Sequence, residues 1–176
     1  MRQASSRRSI KLGLAAMALG APALAQENAI LAAQAFAQNC FSPYLTASKV
    51  REVLGATGAR HDFYDLDPFS NAAPSPAFGL RPATRDTDRR CEVSFDGNHA
   101  ALAVEMAQNG LQAEGIRREA PTPDTHKPVA GTELLAARYL NPKRVAVVHV
   151  GTRQGPNGIE TFMNVERLTP AASQLN

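Results

Sequence analysis

The densest group of chemically able residues in the chain is HDFYDLDP, residues 61–68. It sets a histidine, three aspartates and a tyrosine within seven residues, a composition suited to binding a cation or moving a proton. A calcium loop of the EF-hand type needs oxygen ligands at alternate positions, a glycine at the sharp turn and a closing glutamate. Asp65 and Asp67 have the first spacing, but Phe69 takes the next ligand position and no glycine follows in place. As a strand, alternation puts His61, Phe63 and Asp65 on one face and Asp62, Tyr64 and Leu66 on the other. The three aspartates then do not converge locally, and the plainer expectation is a strand that ends at Asp67-Pro68 and feeds a long surface loop.

The histidines are His61, His99, His126 and His149. His126 lies in a Pro-rich loop and is expected to be solvated. His99 starts a helix, a poor place for a cation. His149 interrupts an apolar strand, where a hydrogen-bonded sheet-face histidine is the ordinary reading. No two of the four have the i, i+4 spacing of a helical zinc site. A catalytic or metal site therefore requires assembly from distant strands, with His61, Asp65 and His149 as its best members. Nucleophile motifs add nothing. There is no G-x-S-x-G elbow, and GTRQGPNG lacks the Lys-Ser/Thr of a phosphate loop.

Arginines are the remaining candidates. Arg81, Arg85, Arg89 and Arg90 gather near one loop, Arg117 and Arg118 follow a helix, and Arg138, Lys143 and Arg144 lie near the last strands. Guanidinium groups bind carboxylates and phosphates in bidentate fashion, so convergence of these clusters would make an anion site. Asp86 and Asp88 lie within the first cluster and can neutralise it. The candidate binding residues are thus His61, Asp65, Arg89, Arg90, His149 and Arg153. The ligand class is a small anion or a periplasmic protein, and no cofactor or metal is indicated.

The amino terminus suggests where this chemistry takes place. Arg2, Arg7, Arg8 and Lys11 form a basic region without acids, LGLAAMALGA is a short apolar region, and Ala23 with Ala25 form an A-x-A cleavage pattern. These are the parts of a secretory signal peptide, residues 1–25, with the cut expected after Ala25. SRRSIK partly resembles the twin-arginine export motif, which stands as the alternative to the general secretory route. The apolar run falls short of the roughly 20 residues that span a bilayer. The residue after the expected cut is Gln26 rather than cysteine, so no lipid anchor is indicated. Four of the 19 Lys and Arg lie in this segment and none of the 16 Asp and Glu, leaving 15 against 16. The basic balance belongs to the leader, and a basic footprint for nucleic acid is absent from the remainder. Cys40 and Cys91 are the two cysteines, and in an oxidising compartment they are expected to form one disulfide.

Residues 26–176 are expected to form a single α+β domain: a mainly antiparallel sheet of five to six strands, two or three helices, and long loops at 68–90 and 120–131. Helix is expected over 28–39. It is expected again through TASKVREVLGATG, where Val50, Val53, Leu54 and Thr57 share a face and Gly58 closes the helix. HAALAVEMAQNGLQAEG is a further helix, with Leu102, Met106 and Ala113 on its stripe and Gly115 at its end. RRCEVSFDG is read as a strand. TELLAARYL has the Leu and Ala of a helix but the position of a hairpin strand, and residues 134–140 are read as strand; RVAVVHV with IETFMNVERL is read as a hairpin. Apolar matching places Val148 opposite Val165 and Val150 opposite Met163 across a two-residue turn at Pro156-Asn157. Pro-Asn-Gly turn chemistry favours instead a one-residue shift, with Val148 opposite Glu166. A buried face normally decides register, so the first pairing is expected.

The order helix, Gly, strand, loop, strand occurs at 46–96 and again at 98–140. It resembles the α-β-β layout of PepSY-type periplasmic domains in element order, with no motif residues to carry over. Layout of this kind does not establish function. The expected function is that of an exported binding or accessory protein without catalysis, using the 68–90 loop and the hairpin tip at 151–158. The alternative is a small periplasmic hydrolase or a metal- or anion-binding protein built around His61, Asp65 and His149.

Overall fold

A computed structural model describes residues 21–69, 73–78, 81–141 and 143–174. The basic segment and most of the apolar region of the expected signal peptide lie outside these residues. Helix α1 (Ala21–Asn39) runs through the expected cleavage point at Ala25. Among its residues from Gln26 onward, Ala29, Ala32, Ala33 and Phe36 are buried in the core.

After α1 come α2 (Ala47–Val53) and a 3-10 turn (Gly55–Thr57). Thr46 caps α2 by accepting from the Lys49 amide. Gly58 closes the turn at φ 72°, the left-handed region where a side chain is strained. Val50, Leu54 and Thr57 are buried, as their spacing predicted. Strands β1 (Arg60–Asp65), β2 (Ser75–Phe78) and β3 (Thr87–Asp96) follow, then α3 (Ala100–Ala113) and β4 (Glu119–Ala120). The long strands β5 (Thr132–Asn141), β6 (Arg144–Gly155) and β7 (Gly158–Leu168) lead into a last turn of helix, α4 (Pro170–Ser173).

The strands form one antiparallel sheet in the order β2-β1-β3-β7-β6-β5-β4, whose edges are the short strands β2 and β4. The α+β architecture predicted from sequence is therefore present, as is the Cys40–Cys91 disulfide, which ties the end of α1 to the middle of the sheet. The β6–β7 hairpin takes the register set by apolar matching: Val148 opposes Val165, Val150 opposes Met163, and Gly155 and Gly158 flank a two-residue turn. Burial overrides the local preference of Pro-Asn-Gly because a one-residue slip would turn every core side chain outward.

Helices α1 to α3 cover one face of the sheet. Phe63, Cys91, Val93, Phe95, Val148, Val150, Met163 and Val165 meet Phe36, Leu54 and Leu111 there in the main core. The expected stripe of α3 is displaced. Ala103, Ala107, Gly110 and Leu111 are buried, Leu102 and Met106 are partly buried, and Ala113 is exposed. The cause is close approach to α1. A Cβ on Gly110 would lie 2.6 Å from the Phe41 ring and 2.7 Å from the Ala37 carbonyl oxygen. Small residues take the contact line and large ones flank it.

The expected 68–90 loop is also corrected. It contains β2, and β3 begins at Thr87, so the strand expected through RRCEVSFDG, with Arg89 and Arg90 at its start, is present and begins two residues earlier. Both arginines are buried. Their alternation sends Arg89 toward the helices and Arg90 to the opposite face.

Candidate functional site

Charged side chains gather on both faces of the sheet, in two assemblies with different character. On the face away from the helices, β3 and β7 present Arg90, Glu92, Glu160 and Glu166, all buried. Arg90 Nε donates to Glu166 Oε1 at 2.7 Å, and Arg90 Nη1 to Asp62 Oδ2 at 3.1 Å. Glu92 is held by Arg81 and, at 2.8 Å, by Arg153. Glu160 takes Arg153 and Arg60, each at 2.6 Å. The 120–131 loop is fastened to this lattice. His126, expected to be solvated, sits 2.9 Å from Glu166 Oε2 with its side chain nearly covered. Burial acts to raise the Glu166 carboxyl, but hydrogen bonds from His126, Thr84 and Arg90 outweigh it and hold it at about 2.

His149 belongs to this same face. Its Nε2 pairs with Thr132 Oγ1 at 2.8 Å, and its ring packs edge-on against Phe162 at 5.0 Å. Burial first, and then the charge of His126, keep it below the ordinary histidine range. Arg90, His149 and Arg153 thus have partners in a closed network. Its many ion pairs give it a structural role, since paired charges are the form in which charge survives burial, though Asp62 Oδ1, Arg60 Nε and Asn164 Oδ1 are buried there without a hydrogen bond.

His61 and Asp65 lie on the helix-covered face of β1, with β3 and β7 between β1 and the β6 strand that carries His149. The structure therefore does not assemble His61, Asp65 and His149 into one cleft. Strand parity explains why: His61 shares the face of core residue Phe63, whereas His149 alternates with core residues Val148 and Val150 and so points to the opposite face. Among the described residues, no three of His, Cys, Asp or Glu are placed to hold a metal ion.

The second assembly lies at the end of the helix-covered face, where α1 and α3 stop. A cavity of about 720 Å³ opens there. Phe41, Ile116, Leu140 and Val165 make its apolar wall, and Arg89, Arg144 and Arg167 its cationic wall. Phe69 lines it and stacks edge-on with Tyr44 at 5.5 Å, both rings largely exposed. Lys143 and Glu114, both exposed, also line it.

The three arginines are paired unequally. Arg167 Nε donates to Asp88 Oδ1 at 2.7 Å, and its Nη2 donates to Asp65 Oδ1 at 2.9 Å and to the Asp67 carbonyl at 2.7 Å. Arg144 reaches Asp88 and, at 3.1 Å, Asp67, while its Nε is buried without a partner. Arg89 has one hydrogen bond among the described residues, from Nη2 to the Ser42 carbonyl at 2.7 Å. The Asp65 Oδ2 atom lies 3.7 Å from Arg89 Nε and is itself buried without a hydrogen bond. Burial lowers Arg89 to about 10, with Asp65 opposing and the neighbouring Arg167 charge adding to the fall. Burial also raises the Asp88 carboxyl, despite its contacts with Arg167 and Arg144.

Of the residues singled out by sequence, Asp65, Arg89, Lys143 and Arg144 belong to this site. Arg167 was not among them, although its signal was present. Once Val148 is paired with Val165, Arg167 falls on the core-facing period of β7, where a charge is out of place. Compared with known proteins, the chain matches no family model, no curated protein and no solved structure. The likeness to PepSY-type domains accordingly stays one of element order.

Proposed function

We propose that this chain is an exported, non-catalytic binding protein whose working site is the cavity at the ends of α1 and α3. The observation that carries the reading is the pairing of an apolar wall with a buried, under-paired guanidinium in a concave space. Ligand sites typically enclose about 300–1,000 Å³, are mainly apolar, and carry a few fixed polar groups. The cavity volume of about 720 Å³ falls within that range. Its charged groups are guanidinium–carboxylate pairs, which hold and orient a ligand. The groups suited to proton transfer, His61 and His149, do not line it.

Export is supported by the signal-peptide pattern of residues 1–25, with cleavage after Ala25. A buried disulfide is compatible with an extracytoplasmic location. Among the described residues, no helix is long and apolar enough to cross a membrane. The site proposed from structure differs from the loop and hairpin tip suggested by sequence, because much of that loop is sheet and its two terminal arginines are buried.

Native mass spectrometry of the protein recovered from the envelope of the producing cells tests this reading. The expected spectrum shows a small molecule bound at one per chain. Leu140→Trp, which fills the cavity from its partly buried edge, is expected to remove it. A wild-type chain that carries nothing, or carries a ligand unaffected by Leu140→Trp, contradicts the assignment.

A further inference from the structure

We propose that the ligand of this cavity is an amphipathic monocarboxylate, a small acid with an apolar body, and that Arg89 recognises its head group. The inference rests on the binding reading above and adds the chemical class of the ligand.

Arg89 carries the argument. A guanidinium has five N–H donors in a planar fork shaped for carboxylate oxygens. Its side chain is only 7% exposed, yet among the described residues it makes one hydrogen bond, to a backbone carbonyl. Buried charge is ordinarily paired and hydrogen-bonded. Arg167, its neighbour on the same wall, shows what complete pairing looks like here: two carboxylates and a carbonyl. Arg89 has the fewest hydrogen bonds of the three wall arginines, and Arg144 keeps one unpaired donor, its Nε, on the same wall.

The charge of the ligand follows from the rest of the wall. Arg89, Arg144 and Arg167 are matched in number by Asp65, Asp67 and Asp88. Lys143 adds a cation at the cavity and Glu114 an acid. Asp65 and Asp88 do not themselves line the cavity; Asp67 and Glu114 do, against Arg89, Arg144, Arg167 and Lys143, so the lining favours an anion, and its apolar wall favours a carboxylate on an apolar body over a bare phosphate. A single carboxylate needs one under-paired fork. The body of the ligand is set by Phe41, Ile116, Leu140 and Val165, which offer no hydrogen bonds from their side chains. Phe69 and Tyr44 extend the apolar surface at the opening.

Isothermal calorimetry on the protein from Gln26 onward tests the class directly. The probes are octanoate, its neutral counterpart octanamide, and inorganic phosphate. Octanoate is expected to bind at one per chain, at least tenfold tighter than octanamide, with no heat from phosphate. Arg89→Met is expected to remove the preference, bringing octanoate and octanamide within about twofold. The comparison of the three probes on the unaltered protein stands even where that variant fails to fold. Octanamide binding as tightly as octanoate overturns the carboxylate assignment, and its loss in Leu140→Trp would leave the binding reading intact. Phosphate binding tighter than octanoate also overturns it, as does the absence of heat from octanoate. The native spectrum then decides separately whether the cavity binds anything.

Discussion

Arg89 and Arg167 stand directly opposite each other across the β3–β7 ladder. Like charges in that position repel and destabilise a sheet. Arg167 is compensated by Asp65 and Asp88, while Arg89 is left with a carbonyl and a carboxylate oxygen beyond hydrogen-bond reach. The Arg89 charge is met by the Asp65 ion pair and by the Phe63 ring at 5.5 Å but by one hydrogen bond only, and that shortfall is the feature that the binding reading explains.

The two arginines should therefore respond oppositely to removal. Arg89→Met takes away a like-charge neighbour and an under-paired guanidinium, while Asp65 keeps its bond to Arg167. Its unfolding free energy is expected to lie within about 1 kcal/mol of the unaltered protein, or above it, because hydrophobic replacement of buried charge is often neutral or stabilising. Arg167→Met strands Asp65 and Asp88 and is expected to cost about 3–5 kcal/mol. Urea denaturation of both variants measures the difference. Equal losses would mean that Arg89 is as fully paired as Arg167.

Acid stability should report the opposite face. The Glu166 carboxyl is depressed in the fold to about 2. Its contribution is full above the ordinary carboxylate range and is lost as pH falls toward that value. His149 is also depressed, so the fold favours its neutral form, and its contribution is lost as pH drops below about 6.5, the ordinary value. Asp88, whose carboxyl is raised, acts in the opposite sense, so the readout is the difference between variants rather than the overall slope. In melting temperature against pH, His149→Gln is expected to flatten the fall below pH 6.5, and Glu166→Gln the fall at lower pH. Unchanged profiles would show that neither group is coupled to folding.

The disulfide closes a long loop, with Cys40 and Cys91 separated by 51 positions. Chain entropy assigns such a cross-link about 4 kcal/mol. Cys40→Ala with Cys91→Ala should lower the unfolding free energy by roughly that amount. It should also loosen the cavity, since Cys40 lines it. Denaturant midpoints and octanoate affinity measured on the same sample separate the two effects.

Gly110 sets the distance between α1 and α3. Gly110→Ala places a methyl group against Phe41 and the Ala37 carbonyl, and is expected to destabilise by about 1–3 kcal/mol through overpacking. This exceeds the gain that alanine normally brings inside a helix. A more stable Gly110→Ala protein would contradict the close α1–α3 contact.

The sheet's face parity, the hairpin register, the α2 stripe and the disulfide were legible in the chain because each is encoded locally or by simple alternation. Arg90, Glu92, Glu160 and Glu166 were harder to place. Alternate charges on a strand read as a solvated face, and only the cross-strand pairs and the covering 81–86 and 120–131 segments bury them. His126 was misplaced for the same reason, since its partner Glu166 is 40 positions away. The cavity was not legible at all. It opens where α1 and α3 stop on the helix-covered face, a property of helix packing rather than of any one segment. Of its arginines, Arg89 was singled out for its neighbours in the chain, whereas its significance lies in the pairing it lacks.

Crystallography of the complex with 8-bromooctanoate tests the central claim most directly. The account predicts anomalous bromine density among Phe41, Ile116 and Leu140, with the carboxylate within hydrogen-bond distance of Arg89. Bromine located elsewhere, or a carboxylate turned to solvent with Arg89 still bonded to Ser42 alone, would contradict it.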